Sequence, residues 1–180
     1  MYEKSKQYDV VALESVHCPI PSFDLRAGYS YTLKTYTQST PDDVPQRIAN
    51  ADIVLITTCR LNASALKADV APKLKLIVIM AAGTDCVDLS VCRIRGIDVV
   101  NCPGANVNAV SEHAIGLYFA ARRSTTILHN DIVGSTTSKG RWVSPGCLLH
   151  RMGTVGGSAP LLASEETLGI FGYGTIGTCS

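Results

Sequence analysis

Three stretches of this chain hold residue types at spacings that could do chemistry, and in each the working atoms are backbone N–H groups. The first is Gly172-Tyr-Gly-Thr-Ile-Gly177, a G-x-G-x-x-G directly after the short apolar run Leu168-Gly-Ile-Phe171. Between a strand and a helix this spacing suits a dinucleotide. Gly172 allows the tight turn, Gly174 lets backbone approach a pyrophosphate, and Gly177 lets the helix pack on the strand. The pyrophosphate would sit on the free N–H groups of that helix's first turn. The other two stretches, Ala82-Gly-Thr-Asp85 and Asn101-Cys-Pro-Gly-Ala-Asn106, each follow an apolar run. Glycine there lets backbone N–H groups come close to an anion such as a carboxylate. Read alone, each is equally a plain tight turn between a strand and a helix.

Side chains that catalyse by themselves are scattered. His17, His113, His129 and His150 stand singly; His113, inside a helix, reads as a core or interdomain residue, the others as loop or surface. Glu112 reads as a structural hydrogen-bond partner, and Arg122-Arg123 as a solvated helix end, where cations suit the dipole. Seven cysteines (Cys18, Cys59, Cys86, Cys92, Cys102, Cys147 and Cys179) include no C-x-x-C pair. An odd, unclustered set argues against a disulfide framework or a metal site and for reduced, mostly buried thiols.

The elements that must position the three stretches alternate along the chain. With 46% apolar and 17% charged residues, most of it can bury a core. A net charge of +1 gives no reason to expect nucleic acid or an anionic membrane as partner, and no run approaches a membrane span. The polar start, Met-Tyr-Glu-Lys-Ser-Lys-Gln, does not read as a secretory signal, so the expected setting is cytoplasmic. Strands are expected at Tyr8–Glu14, Tyr29–Thr37, Ala51–Thr57, Leu74–Met80 and Ile97–Asn101. Helices are expected from Thr40, as N-cap with Pro41 in the first turn, over Leu61–Leu74 as far as Pro72, over Val87–Arg95 ended by Gly96, and after Pro103-Gly104. In that last helix Val107, Val110, Ala114, Leu117 and Ala121 recur at helical spacing. Strands alternating with helices in this way predict an α/β fold with a doubly wound parallel sheet and right-handed crossovers. Residues 135–164, rich in Gly, Ser, Thr and Pro, read as a long loop or arm.

The run Leu74–Leu89, with Met80-Ala-Ala-Gly-Thr-Asp-Cys-Val-Asp-Leu89, resembles the D-isomer-specific 2-hydroxyacid dehydrogenases. So do Arg95-Gly-Ile-Asp-Val-Val-Asn-Cys-Pro-Gly-Ala-Asn106, Val110-Ser-Glu-His-Ala114 and Glu165-Glu-Thr-Leu-Gly-Ile-Phe-Gly-Tyr-Gly-Thr-Ile-Gly177. Leu13-Glu-Ser-Val-His-Cys-Pro-Ile-Pro21 is similar to fungal members of the glycerate/glyoxylate reductase-like branch. The resemblance implies a flavodoxin-like substrate domain over residues 1–104, an interdomain and dimerisation helix over 105–134, and the start of a Rossmann NAD(P)-binding domain over 135–180. It implies NAD or NADP as cofactor, a small 2-oxo or 2-hydroxy acid such as glyoxylate or hydroxypyruvate as substrate, and a homodimer. Ala82 and Gly83 match the turn whose amides hold the substrate carboxylate, and Val110 matches a position near the nicotinamide. Gly172, Gly174 and Gly177 match the dinucleotide loop, with Tyr173, Thr175 and Ile176 adding backbone donors.

The family's catalytic Arg, Glu and His follow the glycine loop, and no histidine of this chain matches the catalytic position. No catalytic residue is therefore expected among these 180, which read as a chain ending three residues after its glycine loop. The last residues are too few to add a stable helical turn after Gly177. The region after about Thr125 is expected to lack order or to expose apolar surface. The alternative reading is a non-catalytic interaction module built on the Val107–Arg123 helix. A third is a flavodoxin-like binding domain unrelated to redox, in which the glycine motif is chance.

Overall fold

Five short runs rich in Val, Ile and Tyr pair in one direction: β1 (Lys6–Ala12), β2 (Tyr29–Thr35), β3 (Ile53–Ile56), β4 (Leu76–Ile79) and β5 (Asp98–Val100). The computed structural model describes residues 6–133 and 162–179, in two units, Met1–Ala105 and Asn106–Ser180. All five strands belong to the first. Their order is β2-β1-β3-β4-β5 and every pairing is parallel, the doubly wound order of flavodoxin-like sheets.

Partners in a parallel register share a face, so the pairings set the core. Val11, Val54, Ile77 and Val99 form one row across four strands. With Leu13, Ile56 and Ile79 they pack against Val44 and Ile48 of α1 (Val44–Ile48) and Cys92 of α2 (Leu89–Arg95). The opposite face is thinner: only Val10, Ala12 and Leu55 are fully buried there, with Ile20 and Phe23 of the β1–β2 connection packed over them.

Three expected elements form differently. The first helix does not start at Thr40. Thr40 instead donates its N–H and hydroxyl to the Asp43 carboxylate, at 2.9 and 2.8 Å, and α1 begins only at Val44. The segment 61–74 is not a helix but a pair of turns. Leu61 makes a parallel bridge to Val87, and the Asn62 carboxamide takes the Ala65 N–H at 3.0 Å. A second turn closes where the Ala71 N–H reaches the Lys67 carbonyl. Asn competes with the backbone for its own hydrogen bonds, and Pro72 removes a donor. The carbonyls left over are taken by Arg95, whose guanidinium reaches those of Leu66 and Ala71, both at 2.7 Å. Helix α2, by contrast, ends as expected at Gly96, at φ +68°, while its start lies a little later than Val87, where Asp88 accepts from the Ser90 and Val91 amides.

In the second unit, α3 (Val107–Arg122) stops where Ser124 adopts φ +51°. A further helix, α4 (Thr125–Val133), follows where lack of order or exposed apolar surface was expected, and Ile127 and Val133 are exposed on it. A short 3-10 turn spans Ala163–Glu165. Residues 168–171 form no strand among the described residues, and Leu168, Ile170 and Phe171 are exposed. The last element is the short α5 (Thr175–Cys179). The turn starts inside the glycine motif rather than after it, and the Thr178 N–H reaches the Gly174 carbonyl at 3.0 Å. Arg122 is not a solvated helix end: it pairs with Glu166, which also accepts from the Tyr118 hydroxyl. Of the six described cysteines, all free thiols, only Cys92 is buried, against the expectation of mostly buried thiols; Cys147 and His150 lie outside the described residues.

Because one side chain caps both turns of the 61–74 segment, Arg95→Ala is expected to lower unfolding stability by about 2 kcal/mol, read from the urea midpoint. Arg95→Lys, with a single-point donor, should recover less than half of that.

Candidate functional site

In open parallel sheets ligands bind beyond the carboxyl ends of the strands, and above all where the strand order reverses. Here that crevice lies between β1 and β3. It is occupied from within. Glu14, just past β1 and 4% exposed, receives the N–H groups of Thr57 at 2.7 Å, of Thr58, and of Cys59 at 2.6 Å, with the Thr58 hydroxyl at 3.0 Å. Burial alone would push this carboxyl up; the amides of Cys59, Thr58 and Thr57 outweigh it and hold the group below its ordinary value. His17, half-exposed, stands 4.0 Å from the same carboxylate. Burial, reinforced by the Glu14 charge, pushes the neighbouring Cys59 thiol up to about 11, so it is no nucleophile at neutral pH.

One strand further on, the opposite arrangement holds. After β4 the carbonyls are pinned: that of Ala81 accepts the Cys102 N–H at 3.0 Å, and that of Ala82 accepts Nδ2 of Asn101 at 2.7 Å. The Thr84 carbonyl takes the Val87 N–H at 3.1 Å. The amides of Ala82, Gly83 and Thr84 donate to no other described residue. Three consecutive donors on a loop fixed through its carbonyls make a cradle for an anion. Gly83 is exposed, and a methyl group built on it would meet Oδ1 of Asp85 at 2.8 Å. The Asn101–Asn106 stretch therefore serves this loop as a brace.

The three glycines of the motif meet the steric conditions read for them, although no strand precedes them among the described residues. Gly172 is at φ +107°, a conformation costly for any other residue. A Cβ on Gly174 would meet nothing within 4 Å, which leaves open space where backbone would approach a ligand. A Cβ on Gly177 would collide with the Gly172 carbonyl oxygen, so α5 and the turn touch at this point. Tyr173, Thr175 and Ile176 lie on the same loop as these three glycines. Ser111 on α3, 3% exposed, donates to the Ile176 carbonyl at 3.2 Å and ties the loop to that helix; its neighbour Val110 is exposed. The side chains of Glu112 and His113 make no hydrogen bond among the described residues and both residues are exposed, contrary to the structural roles expected of them. No cluster of three His, Cys, Asp or Glu suited to a metal occurs among the described residues.

Sequence reasoning did not single out Glu14, Asn101 or Ser111 for these roles. An acid directly after an apolar strand was the available signal for Glu14. The other two carry none beyond their place at a strand end and on a helix.

Residues 4–175 match the family described as D-isomer specific 2-hydroxyacid dehydrogenase, catalytic domain. The chain belongs to this family. A glycerate dehydrogenase of Methylorubrum extorquens is 32% identical over 165 residues, 91% of this chain and 48% of that protein. An erythronate-4-phosphate dehydrogenase of a Shewanella strain is 39% identical over 92 residues, 50% of this chain and 24% of that protein. The pyruvate reductase of Chlamydomonas reinhardtii superposes with a TM-score of 0.52 at 25% identity, over 77% of this chain and 41% of its own. The TT0316 protein of Thermus thermophilus, at 20% identity and a TM-score of 0.55, shares the fold over 73% of this chain and 43% of its own. The chain spans about half the length of that glycerate dehydrogenase.

Glu14 generates a test at this site. Its stabilisation is fully present above the ordinary carboxyl value of 4.5 and is lost as the pH falls through the lowered one. Urea midpoints of the wild type are therefore expected to drop below about pH 4.5, and Glu14→Ala to be destabilised by about 3 kcal/mol at pH 7 with a flatter acid profile. An unchanged acid limb in Glu14→Ala would show that the carboxylate is not what holds this crevice.

Proposed function

We propose that this chain carries the substrate grip and the phosphate loop of an NAD(P)-dependent oxidoreductase acting on the CH–OH group of D-2-hydroxy acids. In the reducing direction its substrates are small 2-oxo acids such as glyoxylate or hydroxypyruvate. The single observation that carries this reading is the run of unpartnered amides at Ala82, Gly83 and Thr84 on a loop braced by Asn101 and Cys102. An anion of carboxylate size is what such a run recognises, and a family whose members act on 2-hydroxy acids supplies the carboxylate.

The bound dinucleotide, NAD or NADP, would supply the hydride carrier. Gly172, Gly174 and Gly177 would hold its pyrophosphate with the amides of Tyr173, Thr175 and Ile176, while Val110 would lie beside the nicotinamide. The groups in both loops are backbone donors, which bind and orient but hand over no proton. Reduction of a keto acid also needs a proton donor and a cation for the developing oxyanion. We therefore assign no catalytic residue here and expect residues 1–180 alone to bind without turnover. Residues 1–104 are assigned as the substrate domain, 105–134 as the interdomain and dimerisation segment, and 135–180 as part of the cofactor domain, with a cytoplasmic setting. Leu117 and Phe119, exposed on α3, favour a homodimer contact through that helix, and they keep the interaction module as the second reading.

Titrating glycolate, a stable 2-hydroxy monocarboxylate, into the 15N-labelled chain should move the amide resonances of Ala82, Gly83 and Thr84 before any others. In Gly83→Ala those shifts should disappear while the thermal midpoint barely changes, since Gly83 is exposed and outside the left-handed region. Shifts spread over the surface, or unaffected by Gly83→Ala, would sink the assignment.

With NADH present, the 180-residue chain should not reduce glyoxylate, and nicotinamide fluorescence should report binding no tighter than about millimolar. Measurable turnover by clean protein would overturn the statement that the chemical step needs groups beyond these loops.

A further inference from the structure

We propose that the pocket between β1, β2 and α1 binds a free α-amino acid as its zwitterion, at a site separate from the amide grip. The pocket holds about 370 Å³ and lies over a face of the sheet, whereas the grip lies beyond the end of β4. Its floor is apolar, from Val11 and Ala51. Its rim is polar. In the parallel register Asp9 pairs with Thr32 and Val11 with Lys34, so Asp9, Thr32 and Lys34 stand on the same face as Val11. Gln46 and Asn50 close the pocket from α1 and the residues just after it.

The rim is also polarised. At one end the Lys34 ammonium stands 5.2 Å from the centre of the Tyr36 ring, and the Arg47 guanidinium lies 3.9 Å from the same centre. Two cations share one ring, and of the two only Arg47 has an anionic partner among the described residues, Asp43 at 3.2 Å. At the other end the Asp9 carboxylate accepts the Thr32 hydroxyl at 2.6 Å. Asp52, which pairs with Lys75, takes the Asp9 N–H at 3.1 Å and brings a second carboxylate close behind the first. Asp9 and Lys34 are diagonal neighbours on adjacent strands, yet neither forms an ion pair among the described residues. Lys34 turns along its own strand toward Tyr36 instead.

The gap between these two charges suits a ligand that carries both. An α-amino acid has its ammonium and carboxylate on one carbon, so it completes the two pairs at once, ammonium on Asp9 and carboxylate on Lys34. A plain acid gains Lys34 and meets the repulsion of Asp9; a plain amine meets the reverse. The side chains of Gln46 and Asn50 make no hydrogen bond among the described residues and can serve the polar atoms that remain. The volume is that of a small-molecule site.

The test titrates the 15N-labelled 180-residue chain with L-alanine, and separately with propionate and ethylamine, which lack the ammonium and the carboxylate in turn. L-Alanine should move the amides of Asp9–Val11 and Thr32–Lys34 and bind about tenfold more tightly than either fragment. Asp9→Asn, which keeps an acceptor for the Thr32 hydroxyl, should weaken L-alanine by about tenfold, and so should Lys34→Gln. The Lys34→Gln result stands by itself even if Asp9→Asn unfolds, because Lys34 is exposed and holds no hydrogen bond among the described residues. Added salt should shrink all these differences. Propionate binding as tightly as L-alanine, and more tightly still in Asp9→Asn, would make this a plain anion site and overturn the proposal. L-Alanine shifts that survive Lys34→Gln unchanged, or none at these amides in the wild type, would overturn it as well and leave the amide grip untouched.

Discussion

A parallel sheet leaves backbone N–H groups without partners where its strands run out, and the first unit is arranged around that constraint. At the end of β3 the problem is solved internally. Glu14 carries a carboxylate into the crevice between β1 and β3 and receives three successive amides. At the end of β4 it is not solved at all: the carbonyls of Ala81, Ala82 and Thr84 are pinned, and the amides of Ala82, Gly83 and Thr84 stay open. Both loops are cradles for a carboxylate. One holds the protein's own, so the place where strand order reverses is closed to a ligand. The other, one strand along, keeps its amides open to solvent, which is what supports the proposal of a carboxylate from outside.

Holding such a loop open has a structural cost that its surroundings offset. Free amides are tolerable only at the surface, where water serves them until a ligand arrives. Gly83 and Asp85 are accordingly exposed, while the loop's rear is anchored by Asn101 and by the packing of Val87 against the core. The turns at 61–74 follow the same logic with the opposite groups. Their surplus carbonyls converge on the guanidinium of Arg95, a fork well shaped to satisfy several at once. In each case one side chain from a distant part of the sequence balances a cluster of backbone groups.

These distant partners mark the limit of what the sequence discloses. Strand positions were legible because Val, Ile and Leu runs bounded by Gly, Pro and Asp have few other uses, and all five runs became strands within a few residues of their expected ends. The end of helix α2 was legible because its cap, Gly96, is local chemistry. The segment 61–74 was not, since its helical pattern competes with Asn62, Pro72 and above all Arg95, which lies more than 20 residues away. Of the site, the glycines could be read, because each has a steric reason that needs no partner: a positive φ at Gly172, open space at Gly174, close approach at Gly177. Glu14 could not be read as a cradle-filler, because nothing adjacent in sequence says that an amide run some 43 residues on will end at the same crevice.

Backbone recognition also explains how relatives with modest identity can share one site. An amide grip asks of the sequence only that a glycine be able to sit in the turn and that the carbonyls be held. Side-chain identity around it is then free to vary, as 32% identity to a glycerate dehydrogenase requires of most positions. What differs between family members with the same grip must be written in the side chains that look onto it.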